Sequence, residues 1–302
     1  MRVAILTDEA GWHGVRLRAA FAALGVEAKV AALAACRIDL DRGVNGLVLP
    51  GFARVLPDAA IVRSVAAGSF EQVTLRLDVL HSLELIGVPV VNPARAIERC
   101  VDKSMTSWLL ARAGIPTPPT WVTESPTEAR RVLMRETAHG HDLVLKPLFG
   151  SQGKGVMRLG AGDPLPDADA VQGVFYLQRY VLPFGARHHD FRVFVVGGTP
   201  LATMERRGRT WVTNVAQGAQ GLPAPADAAR DRLACDAARA VGADYVGVDL
   251  IRDAGGRWQV LEVNSMPAWR ELQRATGVDI AAALARHVVR QVRPAEPREH
   301  AR

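Results

Sequence analysis

The sequence predicts an α/β protein that changes to mixed α+β in its C-terminal two thirds, and three observations predict it. The first ninety residues alternate short apolar runs with stretches of helical apolar spacing. Residues 143–159 read as strand, glycine-rich turn and strand. Between residues 245 and 264, two apolar strands carry acidic and amide side chains that a pure core strand would not tolerate.

Taken in order, residues 3–6, 47–49 and 88–91 are apolar runs followed by Asp, Pro, Gly or Asn, as parallel strands often are. Residues 15–24 and 75–86 space apolar side chains as helices do. Together they predict a small open α/β domain over residues 1–92. Its Gly11-Trp12-His13-Gly14 turn lacks the G-x-G-x-x-G spacing of a dinucleotide site. A second unit, 93–176, opens after Asn92-Pro93 with a helix at 103–113 closed by Gly114 and a proline-stiffened segment at 115–120. A strand at 143–146, the glycine-rich turn, a strand at 156–159 and a Pro- and Asp-rich loop at 160–170 follow. The third unit, 177–292, holds strands at 191–196, 245–251 and 258–263, a helix near 225–241 and a closing helix at 280–292. Residues 293–302 read as a frayed tail.

Composition narrows the functional classes. An apolar share of 49% with 23% charged residues is globular. No run approaches the roughly 18 apolar residues of a membrane span. The first apolar run is too short for a signal-peptide core, so a cytoplasmic location with no membrane partner is expected. Cys36, Cys100 and Cys235 are scattered, which argues against a disulfide framework or a zinc site and for buried thiols. The net charge of +6 is carried by arginines interspersed with Asp and Glu. With no dense basic run among aromatics, it points to an anionic small ligand and away from nucleic acid.

The segment Leu143 to Leu159 carries the first chemical signal. Lys146 ends a strand, and Gly150, Ser151, Gln152, Gly153, Lys154 and Gly155 turn the chain back. Glycines here let backbone N–H groups converge on an anion, with the lysine as a compact charge beside phosphates. The P-loop pattern is absent. An ordinary hairpin tip is the competing reading.

The second signal is oxygen-rich. Glu262 and Asn264 stand two apart on one strand and leave it on the same face. A hairpin through residues 252–257 brings Asp249 beside them. Two carboxylates and an amide oxygen suit Mg²⁺; solvent-facing residues of an edge strand are the alternative. His188-His189-Asp190 reads as a loop, with no nucleophile motif near it. Trp269 and Arg270 together suggest a stacking face and a clamp for a planar anion, against simple packing.

In order and spacing, VDKSMTSWLLARAGIPTP, VLKPLFGSQGKGV, LQRYV, HDFRVFVVG, ATMERR, WVTN, VGVDLI and LEVNSMP resemble the ATP-grasp superfamily, and within it the RimK-like amino-acid ligases. The resemblance implies an ATP-grasp fold with an N-terminal Rossmann-like pre-ATP-grasp domain. It also implies ATP and Mg²⁺ (or Mn²⁺) as cofactors and amide formation through an acyl phosphate. Position by position, Lys103 and Lys146 match the nucleotide lysines, and Gly150 to Gly155 match the lid loop. Gln178, Arg179 and Tyr180 match the hinge whose backbone meets adenine. Asp190, Thr213 and Asn214 match nucleotide contacts. Arg192 with Arg206 or Arg207 match the arginines facing the transferred phosphate and the acyl substrate. Asp249, Glu262 and Asn264 match the metal ligands.

Three segments depart from the pattern: NVAQGAQG lacks the His and Arg of N-x-H-R-G-G, SMPAWRELQ stands in place of P-G-L-E, and the stretch around Pro183–His189 is expanded by two residues. The second form is more like ligases that add glutamate to tetrahydromethanopterin-type pterins. L-Glutamate and a carboxylate-bearing coenzyme are therefore the expected substrates, and a homo-oligomer is compatible with the family. A protein C-terminus or a carrier protein as acceptor, and a non-catalytic nucleotide-binding protein, are the rival readings.

Overall fold

The computed structural model describes all residues except Arg42, Ala53, Arg54, Ser151, Gln152, Ala186 and residues 293–302. Ser151, Gln152 and the tail expected at 293–302 thus lie outside the described residues. The chain forms two compact units. One comprises Met1–Arg95, Met266–Arg270 and the segment from Asp279; the other comprises Ala96–Ser265 and Glu271–Val278.

The first unit is built on a parallel sheet in the order Glu27–Ala31, Arg2–Leu6, Ala59–Val62, Val90–Val91. Val3, Ala4, Ile5 and Leu6 are all buried, as a strand covered on both faces requires. Helices Gly11–Ala22, Phe70–Leu85 and Ile280–Gln291 complete the unit. The second starts with a reciprocal cap between Ser69 and Gln72, and the third with the Asp279 side chain accepting from the Ala282 N–H. The chain leaves the first strand for Glu27–Ala31 on one side and later returns to Ala59–Val62 on the other, so the carboxyl ends of the first strand and of Ala59–Val62 flank the point where ligands of open α/β sheets bind. There the Thr7 and Ser64 hydroxyls lie 3.0 Å apart, and Ser64 accepts from the Asp8 N–H at 3.1 Å.

The second unit holds two antiparallel sheets. The smaller runs Thr120–Thr123, Phe175–Arg179, Leu143–Lys146, Met157–Leu159. Helix Pro126–Ala138 packs Ala129, Val132 and Leu133 against Leu143, Leu145, Phe175 and Leu177. The larger runs Gln220–Pro223, Thr199–Arg207, His189–Val196, Tyr245–Arg252, Trp258–Asn264. Val193, Val195, Val246, Val248, Leu250, Val260 and Val263 share its buried core with Ala234, Ala237, Ala238 and Val241 of helix Ala228–Val241 and with Leu110 of helix Lys103–Arg112.

Val260 and Val263 are three apart and cannot share one face of a regular strand. A β-bulge resolves this: Asp249 pairs with Glu262 and Leu250 with Val260, leaving Leu261 as the extra residue. The bulge sends both valines into the core and turns Glu262 and Asn264 to the other face. His189 and Asp190 open the strand His189–Val196, which corrects the reading of these two as loop residues; the apolar alternation of the strand starts only at Phe191. The three cysteines are free and buried, and burial pushes the Cys100 thiol up to about 12. Among the described residues no helix is long and apolar enough to cross a membrane.

Candidate active site

The polar face of the larger sheet gathers the charged residues that the sequence singles out. Asp249 and Glu262 are cross-strand partners, and Asn264 pairs with Gly247 on the same face. Asn264 Nδ2 donates to the Gly247 carbonyl at 3.4 Å, which leaves the amide oxygen for a hard cation. Arg192 grips Asp249 through two bonds of 2.7 Å, and Arg206 Nη2 reaches the same carboxylate at 3.0 Å. Arg206 also holds Asp190 bidentately at 2.6 Å, and Thr213 Oγ1 donates to Asp190 at 2.6 Å. Burial by itself would raise the Asp249 carboxyl, but the Arg192 and Arg206 guanidiniums outweigh it and hold Asp249 below the usual range. Burial would likewise weaken the charge on Arg206, and Asp190 with Asp249 drives it the other way.

Two lysines meet this face. Lys103, the first residue of a helix capped by the Asp102 carboxylate, donates to the carbonyls of Gly150 (2.9 Å) and Leu148 (3.3 Å) and lies 3.9 Å from Glu262. Lys146 donates to Gln178 Oε1 at 2.6 Å. Gln178 is fixed in turn by Thr120 and by the Tyr176 hydroxyl, which pairs with Ser107 at 2.7 Å. Burial lowers both lysines from their ordinary value, and the Glu262 carboxylate partly restores each. The glycine-rich segment is the loop of a true hairpin, Leu145 pairing with Met157. Gly153 and Gly155 adopt φ of +68° and +69°. A Cβ at Gly153 would stand 3.1 Å from Gln217 Nε2, and one at Gly155 would stand 3.0 Å from Pro147 Cγ. The backbone angle favours glycine at both positions, and a side chain there would also be tightly placed.

Beside Lys146 lies a cavity of about 110 Å³ walled by Val144, Val156, Tyr180, Trp211, Ile251 and Leu261. The hinge departs from expectation in one respect. The Arg179 N–H bonds Pro119 O and the Tyr180 N–H bonds Asp142 O, both at 2.9 Å, so these two donors are engaged within the protein. The Arg179 side chain binds Glu136, and the Tyr180 ring lies under Arg158 at 3.9 Å. Asn214 is likewise engaged, its side chain accepting from the Ala216 N–H at 2.8 Å.

Of the two candidate arginines on strand Thr199–Arg207, Arg206 enters the cluster. Arg207 points to the exposed face and pairs with Glu205, as alternation along a strand requires. Trp269 is also corrected. It is fully buried in the first unit, with the Arg63 guanidinium 4.2 Å over its ring and His13 edge-on at 4.6 Å, so no face is open to a ligand. Arg270 remains exposed. Burial, with the charges of Arg63 and Arg270, drives His13 down to about 4, and its Nε2 accepts from the Trp269 N–H at 3.2 Å. His13 and Arg63 were not singled out in the sequence. The available signal was positional, since both follow short parallel strands at their carboxyl ends.

Residues 100–288 match the RimK-like ATP-grasp domain, and residues 1–97 match the RimK PreATP-grasp domain. A tetrahydromethanopterin:alpha-L-glutamate ligase of Methanocaldococcus jannaschii is 35% identical over 244 residues, 78% of this chain and 80% of the relative. A probable alpha-L-glutamate ligase of Thioalkalivibrio sulfidiphilus is 30% identical over 306 residues, 97% of both chains. Among solved structures, the ATP-grasp ligase PsnB complexed with minimal precursor, Mg and ADP superposes with a TM-score of 0.74 at 21% identity, covering 97% of each chain. The RimK domain protein of Sphaerobacter thermophilus superposes with a TM-score of 0.70 at 23% identity, covering 96% of this chain and all of that one. The chain belongs to the RimK-like ATP-grasp ligases, enzymes that use ATP with Mg²⁺.

Proposed function

We propose that this cytoplasmic enzyme joins L-glutamate to the carboxylate of a small coenzyme such as a pterin, forming an amide and releasing ADP and phosphate. The observation that carries the reading is the single sheet face on which Asp249, Glu262 and Asn264 stand with Arg192 and Arg206, and which Lys103 of a neighbouring helix and Lys146 of the smaller sheet meet. A face that pairs an oxygen-donor set with four cations suits a metal–polyphosphate complex. The names of the two relatives support glutamate as the amine. The cluster of Arg63, His13 and exposed Arg270 in the first unit supports an anionic substrate, because guanidinium forks match carboxylates.

In this reading the nucleotide base lies in the cavity beside Lys146, and the glycine loop covers the phosphates. Asp249, Glu262 and Asn264 would hold Mg²⁺ (or Mn²⁺), which when bound neutralises charge on the transferring phosphoryl group. Lys146 and Lys103 hold the phosphates in line. A substrate carboxylate oxygen displaces ADP at the γ-phosphorus. The glutamate nitrogen then attacks the acyl carbon, phosphate leaves with the C–O electron pair, and the nitrogen loses its proton. Arg192 and Arg206 are placed to stabilise oxygen charge during both displacements.

Incubation with ATP, Mg²⁺, L-glutamate and a panel of pterin carboxylates is expected to give ADP, phosphate and amide in equal amounts. AMP and pyrophosphate as products, or turnover with other amines but never with glutamate, would overturn the assignment. Arg270→Ala is expected to raise KM for one of the carboxylate-bearing substrates by one to two orders of magnitude, since losing a charge-assisted pair costs roughly 1.5–3 kcal/mol. Unchanged KM values for both substrates would remove Arg270 from substrate binding.

A further inference from the structure

Lys146 meets a carboxamide, and a carboxamide has two unlike ends. Its oxygen accepts, which suits an ammonium; its NH₂ group donates, which opposes one. Lys146 Nζ donates to Gln178 Oε1 at 2.6 Å, so the favourable end is the one presented. The smaller sheet brings the groups together. Gln178 stands directly opposite Thr120 on one neighbouring strand, and Tyr176 stands opposite Lys146 on the other. Tyr176 and Gln178 are two apart, so all four side chains leave the sheet on one face.

The directions of the bonds show what holds the amide this way round. Gln178 Nε2 donates to Thr120 Oγ1 at 3.1 Å and to the Tyr176 hydroxyl at 3.3 Å. These two acceptors are not equivalent. The Tyr176 hydroxyl lies 2.7 Å from Ser107 Oγ, and either oxygen can be the donor of that pair. Tyr176 can therefore accept from Ser107 and turn its own proton to Gln178, so it tolerates either end of the amide. Thr120 cannot. Its hydroxyl donates to the Pro118 carbonyl at 2.8 Å, and a carbonyl only accepts. With its one proton used there, Thr120 Oγ1 is left as an acceptor. A reversed amide would set Gln178 Oε1 against that oxygen and the NH₂ group against the ammonium. Gln178 is 2% exposed, so water does not relieve either mismatch.

We propose that Thr120 is a positioning residue for ligation, fixing the polarity of the Gln178 amide and so keeping an acceptor on Lys146; this rests on Lys146 holding the phosphates of the nucleotide. Thr120 acts through two other side chains and only by way of the lysine. Its effect on the nucleotide must therefore vanish when the lysine is absent, which a general loosening of the strand would not do.

A double-mutant cycle read by calorimetric titration of the full chain with ADP and Mg²⁺ tests this. Thr120 lines an open groove of about 630 Å³, and valine matches threonine in shape and suits a strand, so Thr120→Val removes the hydroxyl with little repacking. Thr120→Val is expected to lose roughly three- to tenfold in ADP affinity, the scale of one net hydrogen bond. Thr120→Ser, which keeps the hydroxyl, is expected to stay within roughly twofold of the unsubstituted protein. Added to Lys146→Ala, the valine substitution is expected to change ADP affinity by roughly twofold or less. Thr120→Ala completes the same cycle if the valine variant folds poorly. An unchanged affinity in Thr120→Val, an equal loss in Thr120→Ser, or the same loss with and without Lys146 overturns the role of Thr120 alone. Unimpaired ADP binding by Lys146→Ala sinks the nucleotide role of the lysine, and the role of Thr120 with it.

Discussion

Glu262→Gln is expected to abolish ligation at unchanged stability, whereas Asp249→Asn loses both. The two carboxylates are cross-strand partners on one face, yet their surroundings differ. The Glu262 side chain is 33% exposed and its nearest cation, Lys103, is 3.9 Å away, so neutralising it costs about 0–1 kcal/mol of folding free energy. Asp249 is 5% exposed and is held by both Arg192 and Arg206. Removing its charge leaves buried guanidinium without its counter-ion, which costs about 3 kcal/mol; Asp190, still bonded to Arg206, keeps the figure at the low end of what broken buried pairs show. Activity should fall by at least two to three orders of magnitude in both variants, the scale on which a preorganised electrostatic group acts. Urea denaturation beside ADP-release assays checks the contrast. An active Glu262→Gln enzyme would falsify the metal assignment.

The second large effect is expected at Lys146. Its ammonium is held by Gln178 at 2.6 Å, and Gln178 is anchored by Thr120 and Tyr176, so the charge is positioned before any ligand arrives. Lys146→Ala should weaken ADP binding by roughly one to two orders of magnitude, the loss of a hydrogen bond to a charged group, and reduce turnover further. Lys146→Arg should not restore it, because a planar fork does not occupy the place of a compact ammonium bonded to one amide oxygen. ADP affinity in the arginine variant matching that of the unsubstituted protein would show that any positive charge suffices there.

The face on which Asp249, Glu262 and Asn264 meet was legible because strand periodicity fixes which side chains leave together, and the turn between the strands is short. The strand Leu143–Lys146 was legible to the residue, since its apolar run stops at a charge. The bulge at Leu261 was not, because VLEVN reads as regular alternation until Val260 and Val263 are seen in one core. Helix Pro126–Ala138 was missed although its start was written out: Ser125 caps it, Pro126 opens it, and the Glu128 N–H bonds Ser125. The strand Ala59–Val62 was missed because two alanines dilute a four-residue apolar run. Trp269 was misread as a ligand face because a sequence shows that an aromatic adjoins an arginine, and cannot show that a different arginine, Arg63, already covers the ring.

The double hold on Asp249 has a thermodynamic corollary. Arg192 and Arg206 occupy the same carboxylate oxygens that a cation would use. If Asp249 held a cation, that cation would compete with both guanidiniums and would free their N–H groups for an anion. An anion drawn to the guanidiniums in turn releases the carboxylate for the cation. By linkage, each ligand must strengthen the other by the same factor. A site that bound both at this carboxylate would favour opposite charges arriving together over either one alone.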